Sequence, residues 1–225
     1  MSIRKKPSWP ETLSAAERVE RARSLVSRQI DDLRELIAIS EANRLIIYSP
    51  TLAEQITPSY GANAFNMFQW SALNYEIVRV CAFWDNPRED RASIPTVQKL
   101  IESQACHALV EQALGKDQRY SGRHMRRLDQ AMRVAQKVKS SKFNAALQSF
   151  RNEKVAHNLD FSARVAPSSV LKYGYERKLL RASIAVVSKL NNAIRDSHFV
   201  FDDAIAQSRR NAIAFWKGCT IKVLE

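Results

Sequence analysis

The stretch YEIVRVCAFWD at residues 75–85 decides the fold, because its large apolar side chains are spaced as on an α-helix. On a helix over residues 62–84, four such side chains share one face: Leu73, Ile77, Val80 and Trp84. A repeat of three and four residues is typical of a helix that buries one face against its neighbours. The stretch therefore predicts a helix of the core.

The remainder of the chain predicts more helices and no sheet. Only 5 glycines and 7 prolines occur, and turn pairs such as Asn-Gly between β-branched runs are absent. Apolar periodicity and capping signals predict further helices over residues 14–42, 95–114, 118–139, 142–158, 175–198 and 202–217. The first of these opens with Ser14 and Glu17 in a capping-box pattern, and Gly115 ends the helix that begins at residue 95. Residues 48–61 and 161–173 are expected to be connections, and Ser140 or Ser141 is expected to cap the helix over residues 142–158. The fold class is all-α.

Length and composition favour one domain. A chain of 225 residues with 45% apolar content can bury a single core, and we expect residues 1–225 to form one helical domain. Residues 1–13 are expected to be a flexible basic N-terminus. The sequence has no apolar run of about 18 residues and no secretory signal pattern, so we expect a cytoplasmic protein with no membrane partner.

The cysteines and glycines argue against cofactors. Cys81, Cys106 and Cys219 are odd in number and widely spaced, which indicates buried thiols rather than disulfides or a zinc site. His107 lies beside Cys106, but no second pair of ligands follows at metal-binding spacing. The scattered glycines form no phosphate-binding loop and no nucleophile elbow. We therefore expect neither a metal nor a cofactor.

Positive charge is concentrated in one segment. The chain carries a net charge of +12, and residues 116–142 contain nine Lys or Arg against two Asp, a net charge of +7. Such a segment attracts a polyanion, and it immediately precedes the motif described next. We therefore expect RNA as a partner, bound by the following candidates: Arg123, Arg126, Arg127, Arg133, Lys137 and Lys154. The alternative is a solvated helix face that serves solubility.

The motif that bears chemistry is RNEKVAH at residues 151–157. It places Arg151 and the amide of Asn152 six and five residues before His157 on a predicted helix. A second pair with similar spacing, Arg119 and His124, lacks the amide, and the glycine at position 122 places it at a helix start. The first set is therefore the candidate for a site.

Together with residues 75–85, this motif resembles the HEPN superfamily of ribonucleases, and within it the abortive-infection U type. The resemblance covers about residues 60–200. It implies an antiparallel helical bundle, here with extra N- and C-terminal helices, that forms a homodimer. It also implies an RNA-cleaving cleft between the protomers, lined by Arg151, Asn152 and His157. The biological role it implies is that of a toxin or phage-defence effector, which an antitoxin or similar protein could neutralise.

These residue types suit RNA cleavage without a metal. A histidine titrates near neutral pH and can take the proton of the 2′-hydroxyl or supply one to the 5′-oxygen, so two copies of His157 could divide the two tasks. The planar guanidinium of Arg151 suits the charge that develops on the phosphate. The resemblance implies that Asn152 holds the phosphate or the histidine.

Two acidic residues are candidates for a supporting role in the site. One lies on the helix over residues 62–84, and the other follows its end. Glu76 flanks the apolar stripe and could pair with Arg151, as a structural ion pair or within the site. Asp85 either ends its helix or occupies a polar position of the site.

Other interpretations stay open. Phe143, Leu147 and Phe150 could form a wall of the cleft between protomers, whereas a buried His157 and an exposed Arg151 would be structural. A HEPN-like dimer without catalysis could serve as a scaffold that binds RNA or protein. A basic helical DNA-binding protein is a third class, although no recognition helix is evident.

Overall fold

The computed structural model describes residues 9–56, 61–114, 122–155 and 171–218, and within these ranges it contains helices and no strand. The predicted all-α fold is confirmed. Nine α-helices lie in the described ranges: α1 (Ala15–Tyr48), α2 (Pro50–Ile56), α3 (Gly61–Ala82), α4 (Ile94–Ile101), α5 (Gln104–Leu114), α6 (Arg123–Lys139), α7 (Lys142–Phe150), α8 (Tyr175–Ile194) and α9 (Phe201–Gly218). In the same ranges no helix combines the length and the apolar character needed to cross a bilayer.

Local signals placed most of the helices correctly. The predicted capping box is confirmed, because the backbone N–H of Ser14 donates to the Glu17 carboxylate at 2.8 Å and the Glu17 N–H donates to Ser14 Oγ at 3.3 Å. The helices predicted around α3, α6 and α9 are also confirmed, whereas α8 ends at Ile194, four residues before the predicted end. Gly115 and most of the connection predicted at residues 161–173 lie outside the described residues.

Two predictions about helix boundaries were wrong. The prediction ended the first helix at residue 42, but α1 continues to Tyr48 and α2 occupies part of the predicted connection. Pro50 suits the first position of α2, because that position needs no backbone N–H, and Ser49 Oγ accepts the Leu52 N–H at 3.4 Å. The single helix predicted over residues 95–114 is two helices, because Ser103 Oγ accepts the Cys106 N–H at 3.3 Å and so starts α5.

The chain forms two compact units. The first comprises Met1–Asp31, Ala82–Ser141 and Arg181–Phe199. In it the first half of α1 holds two helix ends, because Arg18 Nε donates to Leu100 O at 2.8 Å and Arg23 Nε donates to Ile194 O at 3.0 Å. These carbonyls lie in the last turns of α4 and α8, where no N–H of the same helix can satisfy them.

The second unit comprises Asp32–Cys81, Lys142–Leu180 and Val200–Glu225. Here α1 and α3 run antiparallel: Asn43 Nδ2 donates to Ala72 O at 3.0 Å, and Gln69 Nε2 donates to Ile46 O at 2.6 Å. A salt bridge attaches α9 to the same part of α1, with Arg209 Nε at 3.1 Å from Glu41 Oε2. Asn43 therefore lies at the centre of the α1–α3 contact.

Glu76 is a buried carboxylate in this second unit. Its side chain is 2% exposed, and Asn43 Nδ2 donates to Glu76 Oε2 at 2.9 Å. Oε1 makes no hydrogen bond of normal geometry with a described residue. Burial raises the pKa of the Glu76 carboxyl, and nearby Glu176 raises it further, whereas hydrogen bonding from Ser40 and Asn43 acts in the opposite direction. The Glu76 carboxyl therefore titrates at a higher pH in the folded protein than in the unfolded chain.

Replacing Glu76 with glutamine should remove one component of the pH dependence of stability. A raised pKa means that the folded protein binds this proton more tightly than the unfolded chain does. Its stabilising effect is therefore present at acid pH and is lost as the pH rises from the ordinary value of 4.5 through the folded pKa. Urea unfolding at a series of pH values should show the free energy of unfolding of the wild type falling relative to Glu76→Gln across this window.

A matched control is Glu20→Gln, which removes an exposed carboxylate from α1 and should keep the fall seen in the wild type. Parallel pH curves for wild type and Glu76→Gln would contradict the expectation.

Candidate functional site

The RNEKVAH motif begins where α7 changes its helical geometry. α7 ends at Phe150, and Arg151–Val155 forms one turn of π-helix instead of the α-helix predicted through residue 158. In a π-helix each N–H reaches the carbonyl five residues earlier, which widens the turn and redirects the side chains that follow. Such turns are frequent at functional sites. The orientation of Arg151 therefore differs from that on a regular helix.

Side chains before and within the π turn hold this segment in place. Gln148 Nε2 donates to Cys81 O at 3.1 Å, which attaches α7 to the last turn of α3. The hydroxyl of Ser149 donates to the Glu153 carboxylate across the start of the π turn. Leu147 is fully buried. Gln148 and Ser149 thus anchor the segment that carries Arg151.

Arg151 and Asn152 form a direct pair. The guanidinium atoms Nε and Nη2 of Arg151 each donate to Asn152 Oδ1 at 3.1 Å. Asn152 is exposed and Arg151 is partly exposed, so both can be reached from solvent. A neutral amide holds the guanidinium plane without cancelling its charge. A planar cation of this kind suits a phosphate group.

The other predicted residues of the motif are described only in part. His157 lies outside the described residues. Lys154 belongs to the π turn, but its side chain is likewise outside the description. The pair of Arg151 and Asn152 is therefore the part of the predicted site whose geometry is known.

The two acidic candidates have other partners. The sequence suggested that Glu76 could pair with Arg151. In the structure Asn43 donates a hydrogen bond to Glu76, and the charged groups that act on its carboxyl are Glu176 and Arg177. Asp85 belongs to the first unit, where its carboxylate lies 3.5 Å from Arg91 Nη1. These contacts are typical of structural groups.

Side chains proposed as the wall of a cleft between protomers make contacts within their own chain. Leu147 is fully buried, so it is not available to a second protomer. Phe143 contacts Tyr175 edge to face, with ring centroids 6.4 Å apart. The interpretation of Phe143, Leu147 and Phe150 as a common wall was wrong for Leu147, because the stripe packs inside its own unit.

The basic candidates on α6 form one exposed face. Arg123, Arg126, Arg133 and Lys137 are exposed, and Arg127 is partly buried. The buried side chains lie on the other side of the helix: His124, Leu128, Ala131, Ala135 and Val138. His124, the histidine of the second Arg–His pair, has its Nδ1 3.3 Å from Asn192 O. The helix thus presents cations on one side and packs with the other, and His124 is a structural residue.

Ser140 and Ser141 separate α6 from α7 as the sequence predicted. Both hydroxyls donate back to α6: Ser140 Oγ to Gln136 O at 3.1 Å and Ser141 Oγ to Val138 O at 2.6 Å. The predicted break between the two helices is confirmed. These two hydrogen bonds satisfy carbonyls in the last turn of α6.

Glu176 lies in a cluster of polar groups that the sequence did not reveal. This carboxylate is buried; Tyr48 Oη donates to its Oε1 at 2.8 Å and Gly174 N donates to its Oε2 at 3.1 Å. Burial first, and then the hydrogen bond with Glu176, raise the pKa of Tyr48, so its hydroxyl keeps its proton. Tyr48 was assigned to a connection, and nothing in its neighbourhood indicated a partner 128 residues away.

Metal binding has no support in the part of the chain that is described. Its histidine, cysteine, aspartate and glutamate side chains form no group of three or more that could hold an ion.

Comparison with known proteins identified a family to which the chain is similar. The model of the AbiU2 family of HEPN domains (HEPN_AbiU2) matches residues 16–215, which extends from α1 to α9. Searches among curated proteins and among solved structures gave no match. The match agrees with the helical architecture and with the resemblance of the RNEKVAH motif. It covers most of the 225 residues, and the chain therefore belongs to the AbiU2 family of HEPN domains.

Proposed function

We propose that this protein is a metal-independent endoribonuclease of the HEPN type. The observation that carries the proposal is the paired guanidinium and amide of Arg151 and Asn152, on a π turn in the segment that leads to His157. In a family named for abortive infection, such an enzyme would act as a toxin or phage-defence effector on cellular RNA. A partner that neutralises it would then be needed in uninfected cells.

The reaction proposed is an intramolecular transfer. His157 takes the proton from the 2′-hydroxyl, the 2′-oxygen attacks the adjacent phosphorus, and the bond from phosphorus to the 5′-oxygen breaks. The leaving oxygen takes a proton from a second imidazole. The products are a 2′,3′-cyclic phosphate and a 5′-hydroxyl. Arg151 stabilises the charge on the non-bridging oxygens, and Asn152 keeps the guanidinium plane oriented.

The proposed active form is a homodimer. Each chain supplies one His157 in this motif, whereas the reaction uses one imidazole as base and another as acid. Two protomers that face each other supply both, together with two copies of Arg151. We propose that the cleft between the protomers is the site of cleavage.

The basic face of α6 is proposed to hold the RNA backbone. Arg123, Arg126, Arg133 and Lys137 recur at intervals of three, seven and four residues, which places them along one side of the helix. A row of cations on an exposed helix face attracts phosphates whatever the base sequence. The alternative role of solubility predicts no effect of these residues on RNA affinity.

Replacing His157 with alanine should lower the rate of RNA cleavage by about 100-fold or more, because general acid and base catalysis would be lost. Arg151→Lys keeps the charge but loses the planar fork, and it should lower the rate by at least about tenfold. The measurement is the initial rate of cleavage of a labelled single-stranded RNA in EDTA.

His198→Ala is the matched control, since His198 is an exposed histidine outside the motif. It should cleave at the wild-type rate. Equal rates for wild type and His157→Ala would remove His157 from the mechanism. Binding of RNA without cleavage by any variant, the wild type included, would favour the scaffold function instead.

Replacing Arg133 and Lys137 together with glutamine should weaken RNA binding and its dependence on salt. Each lost phosphate contact should reduce the slope of log affinity against log salt concentration by about one, so the double variant should lose about two. Fluorescence anisotropy at several salt concentrations measures this slope.

The control double variant is Arg210→Gln with Lys217→Gln, which removes the same charge from exposed positions of α9. It should change the slope less. Equal changes in both double variants would indicate that the net charge matters and the α6 face does not.

The dimer should be visible as a mass of about twice 25.6 kDa by light scattering at micromolar protein concentration. A composite site needs two chains, so loss of the dimer on dilution should lower the rate per chain in parallel. A mass of one chain, with full activity at that concentration, would contradict the composite cleft.

A further inference from the structure

A cavity in the second unit is lined largely by aromatic rings. It has a volume of about 310 Å3 and lies between the end of α1, the middle of α3 and the residues that precede α8. Its lining consists of Ile47, Tyr48, Gln69, Trp70, Leu73 and Tyr173. Three of these six side chains are aromatic. The proposed cleavage reaction does not use any of them.

The three rings are exposed to an unusual degree for their size. Trp70 is 50% exposed, Tyr173 is 71% exposed and Tyr48 is 38% exposed. Scattered single apolar side chains on a surface are ordinary, but rings grouped around one cavity mark a binding surface. The ring of Tyr173 meets that of Tyr48 edge to face at a centroid distance of 6.3 Å. An edge-to-face contact covers at most one face of one ring, so the rings keep faces on which a ligand could stack.

The cavity is held in shape by hydrogen bonds behind it. Tyr48 Oη donates to the buried carboxylate of Glu176 at 2.8 Å, and this carboxylate also accepts the N–H of Gly174 at 3.1 Å. Gly174 has a φ of 86°, which a glycine adopts without steric cost. On the other side, Gln69 is fixed by its 2.6 Å hydrogen bond to Ile46 O. A ligand would therefore meet a preformed surface, and binding would cost little ordering of the protein.

A cation lies beside the rings. The guanidinium carbon of Arg177 is 6.0 Å from the centroid of the Tyr48 ring. Exposed Lys172 precedes Tyr173 in the chain. Rings that can stack, combined with neighbouring positive charge, fit a nucleotide better than an apolar peptide or an acyl chain, because the base meets the rings and the phosphate meets the cations.

We propose that this aromatic cavity is a stacking subsite for one unpaired base of an RNA chain. The proposal rests on RNA as the substrate, as argued above, and adds that the protein selects single-stranded regions. Bases inside a duplex are already stacked and paired, so they cannot enter a cavity lined by rings. Arg151 belongs to the same unit, so one unit would contain both a base-binding and a phosphate-binding element.

The test compares Trp70→Ala with wild type in binding a labelled single-stranded RNA of about ten nucleotides. Every nucleotide of the probe carries a 2′-O-methyl group, which blocks cleavage and leaves binding as the only readout. Loss of one stacking contact should weaken binding by about tenfold, and Trp70→Phe should restore most of it. Binding of the same sequence as a duplex should not change.

The control is Met67→Ala, which removes another exposed apolar side chain from α3, one turn before Trp70 and outside the cavity lining. It should bind the single strand as the wild type does. Equal affinity of Trp70→Ala and wild type for the single strand would overturn the subsite. An equal loss for single strand and duplex would also overturn it, because base stacking would not be the cause.

These measurements distinguish failure of the base-stacking subsite from failure of the ribonuclease proposal. Unchanged binding by Trp70→Ala, with cleavage of unmodified RNA still dependent on His157, would reject the subsite and leave the ribonuclease. A tenfold loss of binding in a protein that cleaves nothing would support the subsite and reject the catalytic proposal.

Discussion

Hydrogen bonds from side chains of α1 to backbone carbonyls are the constraint on which the rest of the structure depends. Six such bonds are described along this 34-residue helix: Arg18 to Lys99 and Leu100, Arg21 to Glu89, Arg23 to Ile194, Gln29 to Ala92 and Asn43 to Ala72. The bonds from Arg18 and Arg23 satisfy carbonyls in the last turns of α4 and α8, which no N–H of the same helix reaches. In the first unit α1 therefore contacts the ends of α4 and α8, and in the second unit Asn43 joins it to the middle of α3. Because Asn43 also binds Glu76, the same interaction determines the environment of a buried carboxylate.

The chemistry proposed for the motif follows from how α7 is held. Gln148 attaches α7 to α3, and the chain then widens into a π turn from Arg151 onward. The amide of Asn152 holds the guanidinium in a defined plane. A preoriented cation of this kind lowers the reorganisation needed when charge develops on a phosphate. Family membership and local geometry thus support the same function through independent observations.

The helices and the motif could be recognised in the sequence because both depend on local patterns. The stripe around Ile77 and the capping box at Ser14 are read from residues three and four apart, and both are confirmed. The break at Ser103 was missed, because one serine inside an apolar periodic stretch gives a weak signal. The π turn at Arg151 has no compositional signature, and the regular helix predicted there was wrong.

Contacts between distant residues were beyond sequence reasoning. The position of Glu76 on the flank of the apolar stripe suggested that it could pair with Arg151, whereas the packing of α1 against α3 gives it Asn43. The partner of Tyr48 is 128 residues away, and no local pattern joins the two. Leu147 seemed available to a second protomer until the packing of its own unit showed it fully buried. These contacts depend on tertiary packing, which cannot be read from the spacing of residues a few positions apart in one sequence.

The motif is proposed to cleave RNA by attack of the 2′-hydroxyl without a metal ion. The most direct measurement is to incubate the wild-type protein with labelled RNA in EDTA and to identify the ends of the fragments. Fragments with 2′,3′-cyclic phosphate and 5′-hydroxyl ends are the expected result. Fragments with 3′-hydroxyl and 5′-phosphate ends, or cleavage that stops in EDTA, would contradict the account.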